Sequence, residues 1–250
     1  MVRVEADKCT GCGICGDVCP RHIPVTMRSD DVKTTSISSE RRDLCLECGH
    51  CVAVCPSEAI QLDGMDPYQF KPVCPINVGA EDLLVLMEQR RSVRRYKEKP
   101  VPREMLDQIV DACRRAPTGT GSASTGVLVI DKQDSLDTLS EMLHELYQDL
   151  DKNLKNPVAR FMIKRKVGFR LFHTLQDFVM PGMRWYLKWK LEGMGDEILR
   201  DCSALILFHS PILEPMGEAN CTISAFHGIF MAEILGVGTC FNDLVPPACN

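Results

Sequence analysis

The sequence predicts an α+β protein in two parts, a small N-terminal domain built around cysteines and a larger domain of helices and short strands. Two identical C-x2-C-x2-C-x3-C-P runs, which begin at Cys9 and Cys45, indicate the first part. Amphipathic helices that alternate with short apolar strands after residue 80 indicate the second. A proline-rich stretch without periodicity lies between them. We therefore divide the chain into a domain at 1–63, a linker at 64–79 and a domain at 80–250.

Length and composition fit a soluble globular protein with one or two domains. The chain has 250 residues, of which 45% are hydrophobic and 25% charged. Its first residues lack the apolar run of a signal peptide, and no apolar stretch reaches the length of a membrane span. A net charge of -5 argues against nucleic acid as the main partner. We expect a cytoplasmic protein that binds neither nucleic acid nor a membrane.

The eight cysteines of the two runs are the predicted metal ligands. Two-residue gaps let three thiolates of a run surround one face of an iron–sulfur cubane, and in this pattern the fourth ligand comes from the other run. Pro20 and Pro56 then turn the chain away. We predict two [4Fe-4S] clusters, one held by Cys9, Cys12, Cys15 and Cys55 and the other by Cys45, Cys48, Cys51 and Cys19.

Zinc sites and disulfides are the alternative interpretations of these cysteines, and both fit the pattern poorly. Zinc sites use paired C-x2-C knuckles or histidine partners, and disulfide frameworks belong to small secreted chains. The stretch from about Val2 to Leu62 resembles the bacterial two-cluster ferredoxins. Gly11, Gly13 and Gly49 agree with this resemblance, because the backbone must approach the sulfurs closely. The other six cysteines are predicted to be buried free thiols: Cys74, Cys113, Cys202, Cys221, Cys240 and Cys249.

Within the first domain, residues 2–4 are the predicted opening strand and residues 59–62 the closing one. Residues 21–42 are rich in Ser, Thr, Asp and Arg and are interpreted as an insertion between the two halves. Within the second domain, helices are predicted at 81–91, 103–115, 135–150 and 219–235, and buried strands at 127–130 and 203–208.

A helical cover is predicted at about 152–192. From Lys152 to Lys190 the chain has ten Lys or Arg against one acid, Asp177, and seven of its fifteen aromatic residues. Apolar residues from Ile163 to Phe178 fall at helical spacing, and Pro181-Gly182 is expected to end that helix. Such a helix either meets a membrane or an acidic partner, or packs its apolar stripe on the core or on a second subunit. The second interpretation is favoured.

Four short segments carry a resemblance to a known family. They are RRSVRRY at 90–96, APTG at 116–119, DCSALIL at 201–207 and LGVGTC at 235–240. The first segment alone is only a group of guanidinium side chains at a helix end. In this order and spacing, however, the four resemble the FMN-dependent nitroreductase family from about Glu81 onward. Their combination with the N-terminal domain is similar to the iron–sulfur cluster-bearing nitroreductases.

The resemblance implies an FMN site and a homodimer with FMN between its subunits. Planar, permanently charged arginine side chains suit both the FMN phosphate and the N1/O2 edge of its ring system. By similarity to the family, Arg90 and Ser92 face the phosphate and ribityl chain, and Arg94 faces the N1/O2 edge. No catalytic residue is assigned. The implied cofactor-binding residues are Arg90, Arg91, Ser92, Arg94, Pro117, Thr118, Gly119, Gly238 and Thr239.

Two features depart from the family pattern. Gly121 stands where the family has an asparagine, so one flavin contact is expected to be lost or supplied by the backbone. Family members also continue beyond the Gly-x-Gly-Thr turn into a strand and an arm, whereas this sequence stops at Asn250. We therefore expect a fold that is truncated at its C-terminus or completed differently.

These features together predict an oxidoreductase that passes electrons from two [4Fe-4S] clusters to FMN and on to an organic acceptor. The acceptor is expected to be a nitroaromatic, a quinone or an activated alkene, and the donor a protein such as reduced ferredoxin. An alternative remains open, in which the chain is an electron-transfer or redox-sensing subunit without its own small-molecule substrate.

Overall fold

The structure, a computed structural model, describes residues 1–29, 32–70, 74–119 and 124–245. Gly121 and Cys249 therefore lie outside the described residues. The described chain forms two compact units. The first unit consists of Met1–Gly79, Pro117–Ser124 and Pro211–Ile223, and the second consists of the remaining segments.

The first unit contains two antiparallel strand pairs and two short helices. Val2 of the first strand lies opposite Leu62 of the last, so the two ends of the cysteine-rich stretch pair with each other. The middle strands form a hairpin in which Pro24 lies opposite Ile37. The elements are β1 (Val2–Val4), α1 (Ile14–Asp17), β2 (Pro24–Ser29), β3 (Val32–Ile37), α2 (His50–Ala53) and β4 (Ile60–Leu62).

The two halves of this unit repeat one local structure, as the repeated sequence predicts. Helix α1 follows Gly13, with φ 85°, and helix α2 follows Gly49, with φ 75°. Glycine tolerates this left-handed conformation without steric cost. The unit's small core contains Val2, Ile23, Val52, Ile60 and Leu62, with Cys15 among them.

The second unit is mostly helical. Its helix α9 begins in the segment that belongs to the first unit. A π-helical stretch, Thr174–Val179, joins α7 to α8. The elements are α3 (Ala80–Gln89), α4 (Arg103–Arg114), β5 (Gly126–Ile130), α5 (Gln133–Lys155), α6 (Pro157–Val167), α7 (Phe169–His173), α8 (Met180–Leu191), β6 (Leu205–His209) and α9 (Gly217–Ile234).

The two strands of the second unit pair antiparallel, with Gly126 opposite His209 and Ile130 opposite Leu205. The main core lies among α5, α7 and α8 and includes Leu143, Tyr147, Phe172, Met180 and Met183. A smaller core joins α4 to α9. There a Cβ built at Gly228 would lie 2.5 Å from the sulfur of Cys113, so these two helices approach too closely for any side chain at that position.

The apolar stripe predicted for the helical cover is wrong in its details. Gly168, with φ +82°, separates α6 from α7, and the π-helical stretch shifts the helical phase again. Phe178 is consequently 85% exposed, whereas Phe172 is buried. Pro181 does not end a helix, because α8 continues directly from the π-helical stretch and runs through this residue.

The prediction that the six scattered cysteines are all buried is also wrong for one of them. Cys113 is buried and Cys202, Cys221 and Cys240 are partly buried, but Cys74 is exposed in the segment before α3. No helix in the described parts of the chain combines the length and the apolar character that a membrane span requires.

Candidate metal centres and flavin site

The cysteines of the two runs lie in two groups of four within the first unit. Burial raises the pKa of Cys15, and the nearby thiolates of Cys12, Cys55 and Cys9 raise it further. Burial likewise raises the pKa of Cys51 to about 11, with added effects from the other three members of its group, Cys19, Cys48 and Cys45. Each group thus takes three cysteines from one run and one from the other. Their role as cluster ligands stays a prediction.

The second group lines a cavity of about 420 Å³, counted with its open mouth. The sulfur-bearing residues of the cavity are Cys19, Cys45, Cys48 and Cys51. Val2, Ile23 and Leu62 supply apolar walls from the unit's core. A cavity with four thiols and apolar walls is chemically suited to an iron–sulfur cluster.

Close backbone approach shapes both cysteine loops. A Cβ at Gly11 would lie 2.2 Å from the carbonyl oxygen of Lys33, and one at Gly49 would lie 2.3 Å from the sulfur of Met65. Both glycines also have positive φ, at 65° and 75°. A side chain at Gly11 would therefore clash with backbone, and the positive φ disfavours larger residues at both positions.

Backbone N–H groups donate hydrogen bonds to several of the sulfurs. Gly11 donates to Cys9 at 3.4 Å, and Ala59 donates to Cys55 at 3.2 Å. Burial alone raises the pKa of Cys9, but hydrogen bonds from Gly11 and Thr35 hold it below its ordinary value. The pKa of Cys55 is lowered in the same way, against the effect of burial, by the N–H groups of residues 60 and 59 and by Ser57.

The two groups of four cysteine sulfurs suit iron–sulfur clusters better than single metal ions. Among the described residues, no three His, Cys, Asp or Glu side chains are placed to hold one metal ion together. A cubane offers a separate iron atom to each thiolate, so its four ligands need not converge on one point.

The second unit brings the arginine-rich segment and the Gly-x-Gly-Thr turn together. Ser92 and Thr239 form an isolated parallel β-bridge. The N–H of Val93 donates to the carbonyl oxygen of Thr239 at 2.9 Å. A Cβ at Gly238 would lie only 2.9 Å from a methyl carbon of Val93, so glycine permits this contact.

The arginines that the family resemblance assigns to FMN follow directly after α3, which ends at Gln89. Arg91 folds back on the carbonyl oxygens of Glu88 and of Arg90, and Arg94 donates to the carbonyl oxygen of Ser92 at 3.4 Å. Within the described residues, no carboxylate lies at ion-pair distance from Arg90, Arg91 or Arg94. By contrast, Arg95 lies 2.6 Å from an oxygen of Glu197. Among the described residues, the charges of the first three guanidinium groups are therefore not balanced by a nearby carboxylate.

Tyr96 is the last residue of this segment, and no role was assigned to it from the sequence. Burial raises its pKa to about 12, and the nearby Cys240 and Cys202 contribute to the shift. Its phenol is therefore neutral at physiological pH. Only its position next to the arginines could have drawn attention to it.

Three of the implied cofactor-binding residues, Pro117, Thr118 and Gly119, belong to the first unit. The N–H of Gly119 donates to the side-chain oxygen of Asn220 at 2.8 Å. Asn220 is 1% exposed, and its amide nitrogen has no partner among the described residues. Sequence reasoning missed Asn220, because its helix also carries Glu218, Thr222, Ser224 and His227, so one more polar residue was no signal.

Comparisons with known proteins match a family model to each of the two parts of the chain. A model of the nitroreductase family matches residues 87–246. A model of the 4Fe-4S dicluster domain matches residues 8–60. The fold is similar to that of an FMN-bound nitroreductase from Bacteroides fragilis, with a TM-score of 0.50 and 16% identity over 68% of this chain and 73% of that chain.

Two curated relatives share shorter stretches with the chain. A putative NADH dehydrogenase/NAD(P)H nitroreductase from Methanothermobacter thermautotrophicus is 29% identical over 65 residues, which are 26% of this chain and 34% of that protein. Iodotyrosine deiodinase 1 from Rattus norvegicus is 21% identical over 126 residues, 45% of this chain and 44% of that protein. The chain thus spans less than half the length of each.

The family matches confirm the predicted fold class, a cluster-type N-terminal domain followed by a mixed helix and strand domain. The nitroreductase match alone covers more than half of the sequence. The chain therefore belongs to the nitroreductase family, and a 4Fe-4S dicluster domain precedes its family domain.

Proposed function

We propose that this chain is an iron–sulfur flavoprotein oxidoreductase that passes electrons from two [4Fe-4S] clusters to FMN and on to an organic acceptor. The acceptor is a nitroaromatic, a quinone or an activated alkene, and the donor is a protein such as reduced ferredoxin. One observation carries the proposal. A single chain folds eight cysteines into two groups of four, ahead of a nitroreductase-family domain.

The bound groups would supply complementary chemistry, since iron–sulfur clusters carry single electrons and flavin carries pairs. The protein's contribution on the cluster side is to hold thiolates. Each N–H that points at a sulfur favours the deprotonated form, which is the form that binds iron. Apolar walls such as Ile23 and Leu62 limit the access of water to the second group.

On the flavin side, the chain's own residues are suited to an anion. Arg90 and Ser92 are assigned to the phosphate and ribityl chain of FMN, and Arg94 is assigned to the N1/O2 edge. A positive charge at that edge stabilises negative charge on the reduced ring and so raises the flavin potential. The contact between Ser92 and Thr239 supports this assignment, because it holds both predicted segments at one place.

A homodimer is part of the proposal. The α3 helix has no buried residue, and Leu83, Leu84, Val85 and Met87 are each 45 to 51% exposed. Exposed apolar side chains of this kind favour contact with another protein surface. The α3 helix leads directly into the arginine-rich segment, so a partner on α3 would lie beside the FMN residues.

Protein purified without oxygen tests the proposal. We expect iron and sulfide for two clusters and one FMN in each chain, measured by chemical analysis and absorption. With dithionite or reduced ferredoxin as the donor, we expect turnover of acceptors from a panel of nitroaromatics, quinones and activated alkenes. Zinc in place of iron, or the absence of a flavin chromophore, would contradict the proposal. Full cofactor loading without turnover would favour the electron-transfer or sensing alternative.

A further inference from the structure

We propose that the outer surface of α6 and α7, at residues 157–171, binds the surface of an anionic lipid bilayer. This α6–α7 surface combines exposed cations and exposed apolar side chains within one stretch of the chain. From the sequence, packing on the core or on a second subunit was favoured, and no membrane was expected. The structure instead leaves exposed several large side chains that packing on the core would bury. The inference does not depend on the cofactors of the proposed function.

The α6–α7 surface is strongly basic, although the whole chain has a net charge of -5. The sequence contains no Asp or Glu between Asp151 and Asp177, and Asp177 pairs with His173 at 2.8 Å. In the described parts of the chain, no carboxylate lies at ion-pair distance from any of the five exposed cations on this surface. They are Arg160, Lys164, Arg165, Lys166 and Arg170. The positive charge of this stretch is therefore concentrated and available to an external anion.

Large apolar side chains lie among these cations. Those that are at least half exposed are Val158 at 69%, Phe161 at 66%, Met162 at 65%, Phe169 at 71% and Leu171 at 50%. The side of α6 that faces the protein carries Ile163 and Val167, which pack against the main core. Positions 158, 161, 162 and 165 follow one another at helical spacing, so they share the opposite face of α6. That face thus carries apolar side chains together with a guanidinium group.

Helices α6 and α7 contribute to one surface. The amine of Lys164 on α6 lies 5.3 Å from the centre of the exposed ring of Phe169 on α7. The same amine lies 5.6 Å from the ring of the buried Phe172. A cation of one helix therefore contacts an exposed aromatic ring of the next, which is the combination found in helices that lie on a membrane.

An anionic bilayer suits this surface better than a protein partner. In a twofold contact between two copies of this chain, the cations would face one another and repel. An acidic protein would neutralise the cations but would also have to present a fitted apolar site to each protruding side chain. A bilayer requires no such fit, because its hydrocarbon accepts single apolar side chains while long Lys and Arg side chains reach the lipid phosphates.

Centrifugation of the whole chain with vesicles tests the inference. We expect binding to vesicles of phosphatidylglycerol and phosphatidylcholine, little binding to phosphatidylcholine alone, and weaker binding as salt is added. Arg165→Gln should weaken binding to the anionic vesicles by about fivefold, the effect of one cation near such a surface. Phe161→Ser should weaken it by about tenfold, because the ring would no longer enter the hydrocarbon.

Two exposed residues outside this surface provide matched controls. Arg114→Gln removes a cation from the end of α4, and Ile234→Ser removes an apolar side chain that is 66% exposed, as Phe161 is. Neither should change the binding, and circular dichroism should show that all four variants fold.

Failure of the wild-type chain to bind anionic vesicles at low salt would overturn the inference, as would equal binding to neutral vesicles. It would also be overturned if the controls lost as much binding as Arg165→Gln and Phe161→Ser. A change in the oligomeric mass of Phe161→Ser without lipid would assign this surface to a contact between copies instead. None of these results requires iron, flavin or turnover, so they leave the proposed function untouched.

Discussion

Arg90 is the residue on which FMN affinity is expected to depend most directly. Its guanidinium has no carboxylate within ion-pair distance among the described residues, so its charge is available to a phosphate. A hydrogen bond to a charged group contributes about 1.5–3 kcal/mol, so Arg90→Ala should weaken FMN binding by about ten- to about a hundredfold. Titration of apoprotein with FMN, followed by flavin fluorescence, measures the change. Arg114→Ala, at the exposed end of α4, is the matched control and should bind FMN like the wild type.

Arg94 is expected to influence the flavin potential more than its affinity. Arg94→Gln keeps hydrogen-bonding ability but removes the positive charge that stabilises the reduced ring. We expect a lower two-electron flavin potential in Arg94→Gln than in Arg90→Gln, measured by equilibration with reference dyes. Equal flavin potentials in the two variants would contradict the assignment of Arg94 to the N1/O2 edge.

Individual site residues could be predicted from the sequence where the chemistry of the site allows only one or two residue types. Cysteine spacing predicted the two groups that the structure brings together. The arginine-rich segment and the Gly-x-Gly-Thr turn were both predicted to bind FMN, but their contact through Ser92 and Thr239 was not predicted. Asn220 could not be assigned in this way. It makes one contact across the fold, and an asparagine has many ordinary roles in a chain.

At the scale of elements, each cysteine run is predicted to supply one ligand to the cluster of the other run. Cys55 belongs to the second run but lies with the cysteines of the first, and Cys19 does the opposite. Cys55→Ala and Cys19→Ala should each remove about half of the iron, and different resonance signals should survive in the two variants. Cys113→Ala, which alters a buried cysteine outside the runs, should keep all of the iron. Identical surviving signals in the two run variants would contradict the crossed grouping.

An ion-pair network joins α5 to α8. The carboxylate of Asp151 lies 2.6 Å from the guanidinium of Arg184 and 2.5 Å from the amine of Lys155. Asp151→Asn should lower the free energy of unfolding by about 1 kcal/mol, measured with denaturant. Asp149→Asn, whose partner Lys152 is exposed, should cost about 0.3 kcal/mol.

The stabilisation by Asp151 should also depend on pH. Burial alone raises the pKa of Asp151, but Lys155 and Arg184 hold it below the ordinary value of 3.8. A carboxyl whose pKa is lowered by folding stabilises the protein above its ordinary pKa and loses that effect as the pH falls through its folded value. The difference in stability between wild type and Asp151→Asn should therefore be complete near neutral pH and shrink below pH 3.8. A difference that stays constant in acid would contradict this explanation.

The predicted elements were correct wherever one periodicity persisted along the chain. The strands β5 and β6 and the helices α4 and α9 occur close to their predicted positions. The stripe from Ile163 to Phe178 failed because it assumed 3.6 residues per turn throughout. One glycine with positive φ and one π-helical stretch each rotate the next helix about its axis, and composition does not reveal such shifts.

At the scale of the whole molecule, the exposed apolar surface of α3 predicts a dimer. Leu84→Glu places a charge on that surface and should convert a particle of twice 28.0 kDa into one of 28.0 kDa in sedimentation experiments. FMN should then be lost more readily. Met142→Glu, at an exposed position on α5, is the control and should leave the mass unchanged. A wild-type protein that is monomeric at all concentrations would contradict the prediction.

The exposure of Cys74 makes a simple chemical assay of cluster loading possible. In protein whose run cysteines are bound to iron, a maleimide reagent should modify Cys74 first, because Cys113 is buried and the other described cysteines outside the runs are partly shielded. After treatment with a chelator, the run cysteines should become reactive as well. The number of adducts per chain, counted by intact-protein mass spectrometry, would then report the loading of individual molecules rather than an average over the preparation.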